Sequence, residues 1–105
     1  MYTMQGKLTA HAGKQEALAA ILLRAAERVS QLAGCRMYLV GRQPDKPDAV
    51  CVVEIWDDKD AHDASLADPQ VRALIAEAMP LICEPPQGYE VDVLGGHGLP
   101  GGAHG

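Results

Sequence analysis

The spacing of hydrophobic residues divides the first third of the chain into a strand and a helix. Residues 2–10 alternate between apolar and polar side chains, which predicts a strand with two unlike faces. From Leu18 to Leu32 the apolar residues recur at steps of three and four, which predicts a long amphipathic helix. We expect this helix to end at Gly34, since glycine readily adopts the left-handed conformation that stops a helix.

Two β-rich runs, 35–42 and 49–56, flank a loop that contains two prolines and two aspartates. The length and composition of this loop predict a hairpin. A register with Gly41 opposite Ala49 places Arg36 across from Glu54 as a cross-strand ion pair. In the same register one face is apolar and carries Cys35, Met37, Leu39, Cys51, Val53 and Ile55. The mixed opposite face carries Arg36, Tyr38, Val40, Val50, Val52, Glu54 and Trp56.

Aspartates mark the beginnings of two helices in the second half of the chain. Two of them immediately precede residues 59–66, and their carboxylates can accept hydrogen bonds from the first amides of a short helix. Asp68 followed by Pro69 predicts a second amphipathic helix that fades around Pro80. Its expected inner side carries Val71, Leu74, Ile75 and Ala78.

The elements follow the order β-α-β-β-α-α-β and end in a strand where Tyr89 and Val91 alternate with acidic residues. This order predicts an α+β fold of the ferredoxin-like type, with one antiparallel sheet and its helices on one face. The bare face would be an apolar patch, which predicts a homodimer about a two-fold axis. We expect the domain to span residues 1–94, followed by a glycine-rich tail, 95–105.

Charge and composition exclude several classes of partner. The chain has 9 basic and 14 acidic residues, a net charge of −5 and no basic stripe, which argues against binding to nucleic acid or to a membrane surface. The three cysteines are spaced too widely for a zinc knuckle or a redox pair, so no metal site is expected. The first residues lack the features of a secretion signal and no run is long enough to span a membrane, which favours a cytoplasmic protein.

Several short fragments have a familiar order and spacing. They are the helix opening 12–17, the turn 33–35 leading into Tyr38, the strand end 54–58, and Asp68-Pro69 before 80–82. Together they resemble the antibiotic biosynthesis monooxygenase family over about residues 2–94. The resemblance implies a dimeric α/β barrel made of two ferredoxin-like protomers, each with a ligand cavity between its sheet and its helices. It also implies oxidation of a quinol or polycyclic phenol by dioxygen without metal, flavin or haem.

The resemblance carries specific residues onto this chain. Relatives line the cavity with a Trp at the end of the third strand, where Trp56 stands, and can place a polar aromatic residue six positions later, where this chain has His62. We take these two as the candidate catalytic residues. Val52 stands where a relative uses Asn. Ser65 and Gln70 stand where many members have His, so mechanisms that rely on those imidazoles do not transfer.

Further residues are candidates for substrate contact. The set comprises Tyr38, Val52, Glu54, Ser65, Arg72 and Gln5. Arg72 is considered as a counter-ion for a phenolate at the cavity mouth. Structural alternatives stand beside them: Trp56 as a core side chain, His62 as a solvated helix residue, Tyr38 as part of a dimer seam, and Glu54 as the partner of Arg36.

Three functions remain open from the sequence. The first is a cofactor-independent monooxygenase acting on a quinol or polycyclic phenol. The second is an isomerase or lyase of a small oxygenated metabolite, and the third is a non-catalytic dimer that binds an apolar ligand. Haem degradation is set aside because the inner side of the last helix offers no axial His.

Overall fold

A four-stranded antiparallel sheet and three α-helices make up the fold in the computed structural model, which describes residues 1–98. The strands are β1 (Tyr2–Thr9), β2 (Cys35–Gly41), β3 (Ala49–Trp56) and β4 (Gln87–Asp92). The helices are α1 (Gln15–Val29), α2 (Lys59–Ser65) and α3 (Pro69–Ala78), with a short 3-10 helix at Met79–Leu81. The predicted order of elements is therefore confirmed.

The strands lie in the order β2-β3-β1-β4. Tyr2 of β1 pairs with Trp56 of β3 on one side and with Asp92 of β4 on the other, and every neighbouring pair is antiparallel. Placing β1 between β3 and β4 is the topology of a split βαβ sandwich. The predicted α+β, ferredoxin-like fold is confirmed for the protomer.

The core lies between the helices and the even-numbered side chains of β1 and β3. Trp56, Leu18 and Val50 are its largest fully buried side chains. Each buried aliphatic side chain of this kind contributes roughly 1.5–3 kcal/mol to folding. The core has two clusters, one around Leu18 and Val50 and one around Trp56, and α1 contributes to both.

The hairpin register differs from the prediction by two residues. Gly41 lies opposite Cys51 rather than Ala49, and Tyr38 lies opposite Glu54. Because side chains alternate with a period of two, a shift of two residues keeps each side chain on its predicted face. Tyr38 and Glu54 therefore both face the helices.

A β-bulge between Cys35 and Met37 corrects two further predictions. Because of the bulge, Cys35 faces the helices and packs near Trp56, instead of sharing the face of Met37 as predicted. The predicted Arg36 and Glu54 pair is wrong, because the bulge turns the guanidinium of Arg36 toward Asp57, with which it forms an ion pair. The extra residue of a bulge re-aims a side chain in this way.

The first helix ends at Val29, five residues before the predicted stop at Gly34. The intervening residues form a turn held by bonds such as Leu32 N–H to the Val29 carbonyl at 2.9 Å. Gly34 still needs to be glycine, since its φ is +86° and a Cβ there would come within 2.6 Å of the Ala61 Cβ. Ala61, in the first turn of α2, therefore packs directly against this turn.

Asp68 caps α3 as predicted and also joins this helix to α1. Its carboxylate accepts hydrogen bonds from the backbone amides of Gln70 and Val71. It also accepts two hydrogen bonds from the Arg28 guanidinium, at 2.6 and 3.0 Å. These bonds favour the ionised carboxylate, and the Arg28 guanidinium is the largest cause that lowers the pKa of Asp68, to about 2.

The substitution Asp68→Asn should therefore destabilise the fold at neutral pH and lose its effect in acid. Asparagine is also a good cap, so the variant removes the charge and keeps an acceptor. The folded pKa lies below the unfolded value of about 3.9, so the stabilisation is present above pH 4 and is lost as the pH falls toward 2. Urea midpoints of both proteins from pH 7 to 2 test this. A difference that is the same across that range would contradict the prediction.

The other face of the sheet carries no helix within residues 1–98, and we call it the open face. Its exposed apolar side chains include Leu39, Tyr89 and Val91. The strand registers add Thr3, Gln5, Met37, Cys51, Val53 and Ile55. No helix in the described part of the chain has the length and apolar character needed to cross a bilayer. Of the predicted tail, residues 99–105 lie outside the described residues.

Candidate functional site

A cavity of about 240 Å³ lies between the helix-facing side of the sheet and helices α1 and α3. Apolar side chains dominate its wall: Leu8, Ile21, Leu22, Ala25, Val29, Leu66, Val71, Leu74, Ile75, Ala78, Met79, Ile82 and Pro86. Three polar side chains interrupt this wall, Tyr38, Glu54 and Ser65, and all three were predicted to contact substrate. An apolar pocket with a few convergent polar groups is the usual form of a small-molecule site.

The cavity mouth is apolar. Leu66, Ile75 and Met79 line the cavity and are also about half exposed. Ile75 was predicted on the inner side of its helix, and the structure instead places it at this rim. A ligand would thus pass apolar side chains on its way to the polar groups.

Glu54 lines the cavity from a central strand of the sheet. Its side chain is 16% exposed, and its Oε1 accepts a hydrogen bond from the Trp56 indole Nε1 at 3.1 Å. Burial raises the pKa of the Glu54 carboxyl, while the Trp56 hydrogen bond and the neighbouring His62 oppose that rise. Glu54 is therefore a carboxylate of increased basicity inside an apolar cavity.

Trp56 lies behind Glu54 and outside the cavity wall. The side chain is fully buried, in the core cluster at the end of β3. Its single N–H is used by Glu54, which satisfies the buried indole. In this arrangement Trp56 holds the Glu54 carboxylate and makes no contact with the cavity itself.

His62 is buried on α2 beside Trp56, rather than solvated. Its ring stands edge-on to the Trp56 ring at a centroid distance of 6.1 Å. Nδ1 lies 3.0 Å from Asp63 Oδ1, and Nε2 lies 3.9 Å from Glu54 Oε1. Hydrogen bonds from His62 and Lys59 lower the pKa of Asp63, so Asp63 is an ionised acceptor and His62 Nδ1 donates to it. The second ring nitrogen, Nε2, is left facing Glu54.

Tyr38 and Ser65 complete the polar part of the cavity. Burial and the charge of Glu54 raise the pKa of the Tyr38 phenol, so this hydroxyl remains protonated and can donate a hydrogen bond. The Ser65 hydroxyl donates to the His62 carbonyl at 2.5 Å, which leaves its oxygen free to accept. The two side chains offer a donor and an acceptor in the same cavity wall as Glu54.

The structure does not bring the remaining candidates to the cavity. Val52 is buried in the core cluster around Leu18 and Val50 and is absent from the cavity wall. Arg72 is exposed and lies outside the cavity wall. Gln5 lies on the open face, where its side-chain oxygen accepts a hydrogen bond from Tyr89 at 2.9 Å. The strand alternation of β1 separates Gln5 from Tyr38 and Glu54.

Tyr2 is a buried residue of this region that the sequence did not single out. Its side chain is 4% exposed, its ring lies 5.1 Å from the His62 ring, and its hydroxyl has no hydrogen-bond partner within residues 1–98. Burial and the charge of Glu90 raise the pKa of this phenol. The alternation of β1 alone places Tyr2 on one side of the strand, but only the pairing with Trp56 shows which side faces the site.

Among residues 1–98, no three His, Cys, Asp or Glu side chains are arranged to hold a metal ion. The three cysteines are free thiols.

Comparison with known proteins relates both the fold and the sequence to one family. The family model described as antibiotic biosynthesis monooxygenase matches residues 1–77. Among curated proteins, none matches the chain.

Solved structures give the same relation. A proposed antibiotic biosynthesis monooxygenase from Chloroflexus aurantiacus J-10-fl is 40% identical, with 93% of this chain and 97% of that chain covered and a TM-score of 0.84. A similar protein from Deinococcus radiodurans is 25% identical, with 96% and 100% covered and a TM-score of 0.82. A variant of SnoaB from Streptomyces nogalater, a cofactor-independent oxygenase, is 20% identical, with 94% and 96% covered and a TM-score of 0.78, and at that identity it supports the fold alone.

Proposed function

Because the chain belongs to the antibiotic biosynthesis monooxygenase family, we propose that it is a cofactor-independent monooxygenase of a small quinol or phenol. The observation that supports this proposal best is the cavity, in which a carboxylate, a phenol and a hydroxyl converge within an otherwise apolar wall. Such a wall excludes water, and the polar groups can orient a ligand that itself carries hydroxyls.

The size of the cavity narrows the substrate class. Its volume of about 240 Å³ lies below the range of roughly 300–1,000 Å³ that is typical of pockets for drug-sized ligands. The cavity therefore favours a hydroquinone with a single ring or with two fused rings over larger polycyclic phenols. We accordingly take naphthalene-1,4-diol as the test substrate.

The proposed reaction needs only the substrate and dioxygen. An ionised hydroquinone is electron-rich enough to pass an electron to dioxygen, and the resulting radical pair combines to form a carbon–oxygen bond. Cleavage of the peroxide O–O bond then releases water. With naphthalene-1,4-diol the products would be 2-hydroxy-1,4-naphthoquinone and one water molecule, so that all atoms balance.

The residues of the cavity have separate tasks in this reaction. The Tyr38 hydroxyl would donate a hydrogen bond to the substrate oxygen that becomes negative, and Ser65 would accept one from the second substrate hydroxyl. Stabilising the anion lowers the barrier to electron transfer, and exclusion of water protects the peroxide. Trp56 and His62 would act indirectly, through their positions next to the Glu54 carboxylate, without contacting the substrate.

Oxygen consumption by the protein freed of metal and flavin tests the proposal. Uptake with naphthalene-1,4-diol well above the uncatalysed rate would support the monooxygenase. Turnover of an oxygenated metabolite without oxygen uptake would overturn it in favour of an isomerase or lyase. Tight ligand binding with no turnover would overturn it in favour of a non-catalytic carrier, for which the absence of imidazoles at Ser65 and Gln70 is the supporting observation.

We further propose that the open face is covered by a second copy of the chain. Leu39, Tyr89 and Val91 are exposed on the same face as Val53 and Ile55, and apolar patches of this kind usually mark an association surface. We expect a mass of two chains by light scattering at micromolar concentration. The substitution Leu39→Glu should produce the monomer, and the matched change Leu23→Glu on exposed α1 should not. A monomeric wild-type protein would contradict the proposal.

A further inference from the structure

Three titratable side chains form a line from the cavity to the protein surface. Glu54 lines the cavity, His62 Nε2 lies 3.9 Å from its Oε1, and His62 Nδ1 lies 3.0 Å from Asp63 Oδ1. The side chains of Glu54 and His62 are only 16% and 10% exposed, whereas that of Asp63 at the other end of the line is 49% exposed. The line thus connects an enclosed apolar space with solvent through a buried imidazole.

Glu54 is the base among the polar groups of the cavity wall. Burial keeps the Tyr38 phenol protonated and the Ser65 hydroxyl is neutral, and a neutral hydroxyl is too weak a base to remove a proton from a ligand. A carboxylate has lone pairs that can accept a proton, and it gains a proton more readily when it is desolvated. Only one of its oxygens, Oε1, is engaged by Trp56.

His62 is oriented to exchange a proton with Glu54. The ionised Asp63 fixes the proton of the ring on Nδ1, so that the lone pair of Nε2 points toward Glu54. The separation of 3.9 Å exceeds a direct hydrogen bond, and a small rotation of the Glu54 side chain or one bridging water would complete the transfer.

The groups around this line are mostly neutral or apolar. Tyr2 of β1 and Cys35 and Tyr38 of β2 face Glu54, and burial raises the pKa of each, which keeps all three neutral. Lys59 of α2 binds Asp63 at 3.0 Å, and Glu90 of β4 faces Tyr2. The cavity residues of α1 and α3 near Glu54 are apolar, as in Ala25 and Val71. Within the described residues, His62 is thus the basic group that lies next to Glu54.

We propose that Glu54 removes the phenolic proton of the substrate and that His62, held by Asp63, exchanges this proton with the solvent side. The inference rests on the proposed function. The phenolic O–H bond breaks as the O–H bond of the Glu54 carboxylic acid forms, and the electron pair stays on the substrate as the phenolate. A proton returns along the same route when the peroxide O–O bond breaks and water leaves. Glu54 is then a catalytic residue, and His62 and Asp63 are positioning residues.

The substitution Glu54→Gln tests the base directly. Glutamine keeps an oxygen that can accept the Trp56 N–H, so the fold should be retained, as checked by thermal unfolding. We expect kcat/KM for naphthalene-1,4-diol to fall by roughly 10²–10⁴-fold at neutral pH. The wild-type rate should fall in acid as Glu54 is protonated, whereas the rate of the variant should continue to rise with pH as the free substrate ionises. Glu16→Gln, a matched change of an exposed carboxylate on α1, should leave the rate unchanged.

The acidity of the substrate provides a second readout. A hydroquinone with electron-withdrawing substituents is already ionised at the assay pH and needs no base, so its loss of rate in Glu54→Gln should be small. If that variant failed to fold, the wild-type pH profile would decide, because the loss of rate in acid should be present with the ordinary hydroquinone and absent with the acidic one. An unchanged profile with both would overturn the proposal.

His62 is tested by chemical rescue. The substitution His62→Ala should lower kcat roughly tenfold or more, and added imidazole should restore part of the rate by replacing the missing ring. A variant that lost rate without any response to imidazole would assign His62 a structural role only.

The outcomes separate this inference from the proposed function. Without oxygen uptake by the wild-type protein the proposed function fails. With wild-type uptake, and with Glu54→Gln within about threefold of the wild-type rate at every pH, only the assignment of the base fails.

Discussion

The substitution Ala25→Phe is expected to lower kcat/KM for naphthalene-1,4-diol by more than about 100-fold, since a misplacement of the substrate by about 1 Å can already cost that much. Ala25 is a buried residue of α1 whose side chain forms part of the cavity wall. A phenyl ring at this position would fill much of a cavity of about 240 Å³ and displace the substrate from Glu54 and Tyr38.

The fold should survive this change because the new ring enters space that already exists. Overpacking of a filled core costs about 1–3 kcal/mol, so a smaller loss measured by urea unfolding would indicate that the ring lies in the cavity. Ala73→Phe on the exposed side of α3 is the matched control and should retain the wild-type rate. Full activity of Ala25→Phe would show that the reaction takes place elsewhere.

The largest expected change in stability is that of Trp56→Ala. Trp56 is fully buried where β3 meets the Tyr2, Val29 and Val71 side chains, and its removal leaves a large cavity and deprives Glu54 of its donor. Truncation of a buried Trp costs about 3–5 kcal/mol of the free energy of unfolding. Urea and thermal unfolding measure this loss. The control is Leu23→Ala on the exposed side of α1, whose free energy of unfolding should lie within about 0.5 kcal/mol of the wild-type value. A loss below about 1 kcal/mol would contradict the core position of Trp56.

The substitution Trp56→Phe separates the volume of the ring from its hydrogen bond. The Trp56 N–H lowers the pKa of Glu54, so its removal should raise that pKa further. A base with a raised pKa becomes protonated at a higher pH, and the loss of rate in acid should therefore begin at a higher pH in this variant. An unshifted profile would show that the bond between Trp56 and Glu54 does not tune the base.

The order of elements and the faces of the strands could be predicted because they depend on local spacing. The alternation that placed Tyr38, Glu54 and Trp56 on one face survived a register error of two residues, since that error preserves the face. The bulge at Cys35 and Met37 was not predictable in this way, because nothing in the residue pattern marks one extra residue in a strand. Together with the register shift, which puts Tyr38 opposite Glu54, the bulge explains why Arg36 pairs with Asp57 and not with Glu54.

The candidate site was predicted in part for the same physical reason. Tyr38 and Glu54 reach the cavity because strand alternation places them on that side of the sheet, whereas Ser65 was named only through the family resemblance. Gln5 lies on the open face because of the way β1 pairs with β3. Trp56 and His62 lie outside the cavity wall because of packing between elements that are distant in the sequence. Local spacing shows neither the strand pairing nor this packing, so the sequence could not distinguish residues that contact the cavity from residues that support them.

The fate of oxygen labelled as ¹⁸O₂ tests directly whether this cavity performs a monooxygenation. With the protein freed of metal and flavin and with naphthalene-1,4-diol as substrate, we expect one labelled atom in 2-hydroxy-1,4-naphthoquinone and the other in water. We also expect Ala25→Phe to abolish this labelling. Formation of unlabelled naphthoquinone with hydrogen peroxide, or equal labelling by the wild-type and Ala25→Phe proteins, would contradict this expectation.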